Sequence, residues 1–201
     1  MRKTMFTKTL FSLALACLAT PALAHSGGDV HVGFTAGFLH PLTGLDHLVA
    51  MVAVGLWGAQ LGKPEIWLLP IAFPLVMAFG GLLGIMGIAL PLSEPLIAAS
   101  AIVLGLVVVT QARWPMAAAI ALVSVFAIFH GYAHGRELPD AASPEAYAIG
   151  FVMATGMLHG VGILIGTLQR LRWGSYVVRG LGFGISAIGV VFLYGQMIAP
   201  A

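Results

Sequence analysis

Charge is what this sequence has least of. Only 8% of its 201 residues are Asp, Glu, Lys or Arg and 60% are hydrophobic, whereas a soluble domain carries about 25% charged residues. With a mean hydropathy of +1.02, most of the chain must face a solvent that does not penalise apolar surface. That solvent is lipid, and a soluble enzyme is excluded. Thiols are almost missing as well. The one cysteine, Cys17, falls in a segment expected to be removed, so the mature chain has neither a disulfide nor thiolate ligands. No nucleotide-binding glycine loop is present, which excludes ATP hydrolysis by this chain.

What is present begins with a signal peptide over residues 1–24. Arg2, Lys3 and Lys8 lie in a positive n-region, Leu10 to Ala19 form an apolar h-region, and Pro21-Ala22-Leu23-Ala24 ends in an A-x-A cleavage pattern. A lipobox over Ala14-Leu15-Ala16-Cys17 is the weaker reading, because Ala14 stands where leucine is usual. Cleavage after Ala24 takes three of the nine basic residues and leaves six against seven acids. No basic patch remains, so nucleic acid is not a partner.

The remaining chain, 25–201, reads as one all-α, polytopic membrane domain of six transmembrane helices. Apolar stretches of membrane-spanning length lie near 33–60, 66–89, 95–112, 115–135, 145–169 and 174–198. Short turns such as Leu61-Gly62-Lys63-Pro64 and Arg113-Trp114-Pro115 join them. Cleavage places the new N-terminus outside, and six crossings return the C-terminus there. The charges agree: Lys63, Arg113, Arg170 and Arg172 fall in inner loops and only Arg136 in an outer one. Asp29, Glu94, Glu137, Asp140 and Glu145 fall outside and only Glu65 inside, so the outer face gathers cations. The expected location is the bacterial inner membrane, with both mature termini periplasmic.

Several features have a purely architectural reading. Gly80-x3-Gly84, Gly156-x3-Gly160 and Gly162-x3-Gly166 predict close helix contacts. Pro70 and Pro74 would free carbonyls in the second helix. Trp57, Trp67, Trp114 and Trp173 read as an aromatic belt, and Met51, Met77, Met86, Met153 and Met157 as packing. Paired histidines in the first and fourth helices fit a three-plus-three inverted repeat.

The chemistry lies in the seven histidines, because ionisable groups at membrane depth are costly and mark function. His40 and His47 are seven residues apart, hence on nearly one helix face, with Asp46 beside them and with Pro41 and Gly44 between them predicting a break. A straight count of about 1.5 Å per residue puts Asp46 and His47 near the midplane. In the fourth helix His130, His134 and Glu137 share one stripe if the helix persists past Gly135. His-x3-His presents two imidazoles to one metal, but Gly131 stands where the general base of a zincin would be. His159 is expected at the depth of His47. At the new N-terminus, His25 with its α-amine and nearby His31 could capture a divalent ion from outside.

These residues carry a resemblance. The H-P-x-x-G-x-D-H-x-x-x-M run from His40 to Met51 and the F-H-G-x-A-H-G-x-E run from Phe129 to Glu137 resemble the HupE/UreJ family of bacterial membrane proteins, named for hydrogenase and urease operons. The resemblance covers the whole chain. It implies a nickel permease, with cobalt for some members, that feeds metalloenzyme assembly. The family's motif residues map onto His40, Asp46, His47, His130, His134 and Glu137.

The expected function is therefore secondary uptake of a divalent transition metal, Ni²⁺ or Co²⁺, as transported ion rather than as a permanently bound cofactor. It is not an enzyme. Its partners are the lipid bilayer, the ion and metal-delivery or metallochaperone proteins. Imidazole with carboxylate suits such ions, and the absence of thiolates argues against Cu(I). The alternatives are a His-ligated intramembrane metalloenzyme or haem protein, and a membrane metal sensor without flux.

Overall fold

Lipid offers backbone groups no hydrogen bonds, so a chain this apolar must satisfy them within each segment, and it does so as helix. The computed structural model describes residues 29–138 and 143–198, the first four by backbone alone. All regular structure among them is helical: α1 (Asp29–Thr43), α2 (Leu45–Leu61), α3 (Glu65–Ile85), α4 (Ser93–Thr110), α5 (Met116–Arg136), α6 (Pro144–Gly166) and α7 (Gly174–Ile198), with a 3-10 turn at Thr167–Arg170. Five helices are each long and apolar enough to cross a membrane, and α1 with α2 forms a sixth candidate, bent by 78°. The expected signal peptide, 1–24, lies outside the described residues, as do His25 and Asp140.

The bend falls where the sequence weakens the helix. Pro41 has no N–H to give, and Gly44 adopts an extended φ of −79° and ψ of 104° between the two helices. The Thr43 hydroxyl donates to the carbonyls of Leu39 and His40, at 3.2 and 3.0 Å. At its far end α2 stops at Gly62, whose φ of +93° suits only glycine. α3, by contrast, stays helical through Pro70 and Pro74.

Small residues set the packing. Gly80 and Gly84 of α3 lie against the backbone at Ile128 and Tyr132 of α5, and Gly131 and Gly135 of α5 lie against that at Met77 and Gly81 of α3. The two helices therefore run parallel in close contact. α6 packs its first half on α1, where Gly37 meets Tyr147, and its second half on α2, where Gly55 meets His159 and Gly162 meets Val52. α4 pairs antiparallel with α7 through Gly105, Gly182 and Gly189. The Ser186 hydroxyl reinforces that pair by donating to the Ile102 carbonyl at 2.9 Å. Counting α1 and α2 as one span, exchanging spans one to three for spans four to six maps these three principal pairings onto themselves. That is the pattern an inverted repeat leaves.

Three sequence expectations need correction. Gly156 and Gly160 have no neighbour among the described residues against which a side chain would press, so this pair is not a helix contact there. Trp57 is buried rather than part of a belt: its Nε1–H donates to the Ala112 carbonyl at 2.9 Å and its ring meets Trp114 edge-on. Trp67, Trp114 and Trp173 are exposed. The third concerns depth. His47 meets His134, two residues from the end of α5, so Asp46 and His47 sit near one end of the bundle instead of its middle. Chain length ceases to measure depth once a helix turns by 78°. Arg179, within α7, donates from Nε to the Val109 carbonyl at 2.9 Å.

Candidate metal centre

Three helix ends converge on one spot. The last turn of α1 supplies His40, the first turn of α2 supplies Asp46 and His47, and the last two turns of α5 supply His130 and His134. The helix does persist past Gly135, with Glu137 as its C-cap, and the predicted stripe of His130, His134 and Glu137 is real. The rings of His40 and His134 are 4.6 Å apart and those of His47 and His134 are 4.3 Å apart, both edge to face. His47 and His130 follow at 5.1 Å.

One ligating atom each from His40, His47 and His134 lies within 4.8 Å of the others. At a metal–nitrogen distance of about 2.1 Å, neighbouring ligands of one ion are about 3–3.6 Å apart, so the rings must draw together to share an ion. The orphaned nitrogens argue in the same direction. Both ring nitrogens of His134 and Nδ1 of His47 are buried without a hydrogen-bond partner, and each such atom costs on the order of 1–3 kcal/mol. A cation held by one nitrogen of each ring would take up a lone pair from both histidines at once.

Acids surround the imidazoles on the open side. Glu137 Oε2 lies 3.1 Å from His40 Nε2, and this hydrogen bond holds the Glu137 carboxyl below the usual carboxylate range. Asp46 Oδ1 accepts from the His47 backbone N–H at 2.9 Å and approaches His47 Nδ1 at 3.2 Å. A carboxylate in the first turn of α2 is also favoured by the helix dipole. Both acids, with His40, Thr43, His47 and Glu94, line a cavity of about 270 Å³. Sequence reasoning placed Glu94 only among outer-face charges. The signal available was an acid in the first turn of an otherwise apolar helix. Phe151 and Tyr147 of α6 close the opposite side, with Phe151 4.1 Å from His134 and Tyr147 6.2 Å from His40.

The other histidines lie outside the three-imidazole set. His159 does not reach the level of His47. It lies beside Gly55, about two turns farther along α2, and meets Phe73 at 5.5 Å. A histidine's position along its own helix could not reveal the offset, because it depends on how α6 slides against α2. His130 is fully buried below His47, its Nδ1 donating to the Phe126 carbonyl at 2.9 Å. His31 belongs to α1 by backbone, and His25 lies outside the described residues.

Known proteins match along nearly all of this chain. The HupE / UreJ protein family matches residues 13–192. Protein HupE of Rhizobium leguminosarum bv. viciae is 43% identical over 182 residues, covering 90% of this chain and 95% of the relative. No solved structure matches. The two histidine runs lie within the matched region and supply the converging imidazoles, so sequence match and site geometry point the same way: the chain belongs to the HupE / UreJ family.

Proposed function

We propose that this chain is a secondary permease that takes up a divalent transition metal, with Ni²⁺ favoured and Co²⁺ as the second candidate, across the bacterial inner membrane for hydrogenase or urease maturation. The observation that carries the reading is the set of three imidazoles with ligating atoms within 4.8 Å, two of which, His40 and His47, line an acidic cavity in a bundle of membrane-length helices. Nitrogen and oxygen donors without thiolate suit Ni²⁺ and Co²⁺. Rings packed edge to face leave no flat slot for a porphyrin, which favours a bare ion over haem. The internal exchange of three spans for three is the architecture on which secondary carriers alternate access.

In this reading residues 1–24 are a cleaved signal, 25–201 form the permease, and both mature termini face the periplasm. The chain is not an enzyme. Glu94, Asp46 and Glu137 gather the cation, and His40, His47 and His134 exchange its waters for imidazole. The inside-negative membrane potential then contributes about 2.3 kcal/mol per charge per 100 mV toward inward movement.

Flux in liposomes tests this directly. With purified protein, a metal-sensitive dye inside and a potassium-diffusion potential, external Ni²⁺ should quench the dye, and faster with the interior negative. Binding without flux would overturn the permease and favour a sensor.

Metal binding should also weaken with acid. Imidazole must be neutral to bind metal, so protons and metal compete for the same lone pair. Glu137 is different in sign: its lowered value in the fold means that its charge, and the stability it contributes, is present above the ordinary carboxylate range and lost only as pH falls through the lowered value. Between pH 7.5 and 5.5 Glu137 stays charged, so the change belongs to the imidazoles. Co²⁺ affinity should therefore fall from the higher pH to the lower. An isotherm unchanged between the two pH values would assign the binding to carboxylates.

A further inference from the structure

His130 and His159 are 0% and 1% exposed, deeper in the bundle than the three-imidazole set. Both pack edge-on against one phenyl ring, Phe73 of α3, whose centroid is 5.5 Å from each. α3 packs against both α5 and α6, so Phe73 stands between the two helices that carry these histidines.

Neither imidazole is satisfied. His130 Nδ1 donates to the Phe126 carbonyl, which leaves the lone pair of Nε2 buried without a partner. His159 has no partner at either nitrogen. Within reach of one of its nitrogens lies the Pro70 carbonyl, which has lost its helical donor because Pro74 carries no N–H. One turn before His159, on the same helix face, the Thr155 hydroxyl is also buried and unpartnered. In an apolar bundle core each of these groups is a liability on its own. Each neutral imidazole keeps one lone pair free, and with the Pro70 carbonyl and the Thr155 oxygen these form a set of electron-pair donors that a cation would complete. The connection to the outer set is continuous, since His47 and His130 are 5.1 Å apart.

We propose that His130 and His159, held apart by Phe73, form a second, inner position for a divalent transition-metal ion, entered from the outer three-imidazole site when the Phe73 ring turns aside. The Pro70 carbonyl is the oxygen donor at hand. The inference rests on the permease reading, in which an ion must leave the outer site inward. A stepping stone of two imidazoles replaces water at a depth where a naked dication has no other ligand.

The test uses the full chain in lipid nanodiscs with Co²⁺ as the probe. Phe73→Ala should open the space between the imidazoles and raise Co²⁺ bound at saturation by one per chain, and adding His159→Leu should return it to the wild-type value. Phe73→Leu serves if the alanine variant does not fold. In liposomes His159→Leu alone should lower Co²⁺ flux at least tenfold while affinity at the outer site changes less than threefold. No rise in either Phe73 variant, or a rise that survives His159→Leu, overturns the inner position; unchanged flux in His159→Leu overturns its place on the path. Wild-type vesicles that pass no Co²⁺ would instead overturn the permease reading, and the Phe73 stoichiometry would still decide the inner position.

Discussion

Replacing His47 by alanine should abolish uptake of radioactive nickel by cells and weaken Co²⁺ binding to the purified protein by more than about 100-fold. His47 is the hub of the site, 4.3 Å from His134, 5.1 Å from His130 and 6.3 Å from His40. Without it, two imidazoles remain at the outer site. Removing a residue that merely orients a ligand already costs 10–100-fold in metal affinity, and loss of a ligand exceeds that. The fold should tolerate the change, because His47 sits in the first turn of α2, where Asp46 Oδ1 still accepts from the residue-47 backbone N–H. Asp46→Asn is the companion experiment. Asparagine keeps an oxygen to accept from the His47 N–H, now 2.9 Å from Asp46 Oδ1, and deletes only the charge. Uptake should again be lost while the protein remains inserted. Normal uptake in both variants would remove Asp46 and His47 from the ion path.

The second large effect should come from a single methyl group. A Cβ on Gly131 would fall 2.7 Å from the Met77 carbonyl carbon and 2.8 Å from the Gly81 nitrogen, inside any real contact distance. Those atoms are backbone and cannot turn away, so α3 and α5 must separate. His130 and His134 flank the contact and move with it. Gly131→Ala should therefore destabilise the protein by at least about 1–3 kcal/mol, the usual range for overpacking, and abolish metal binding without touching a ligand. Gly156→Ala is the control. Nothing lies within 4 Å of its new Cβ, and alanine gains about 1 kcal/mol of helix propensity over glycine. Thermal unfolding in detergent should show a large drop for the first and none for the second. Equal melting temperatures would mean that α3 and α5 are not packed as described.

The histidine site was partly legible in the chain because its spacings are local. His130, His134 and Glu137 share a stripe through helix geometry alone, and Pro41 with Gly44 marks the break that separates His40 from Asp46 and His47. What local spacing does not carry is the angle of the break. A turn of 78° swings the start of α2 toward the end of α5, bringing His40, His47 and His134 within ligating reach of one another. Glu94 enters for the same reason. It is far from the histidines in sequence and lines their cavity because α4 starts at the same end of the bundle.

Composition and periodicity were enough to establish that the chain is helical, apolar over several membrane lengths, and provided with two histidine runs at helical spacing. Those conclusions follow from short-range physics, in which lipid demands internally bonded helices and a helix fixes the face of each residue. Helix packing was needed to show which glycines are contacts, that Trp57 is core, and that the imidazoles fall into an outer group and a deeper pair across Phe73. Each depends on how one helix slides and tilts on another, and that is set by the summed fit of many side chains, none of which announces its partner in the sequence.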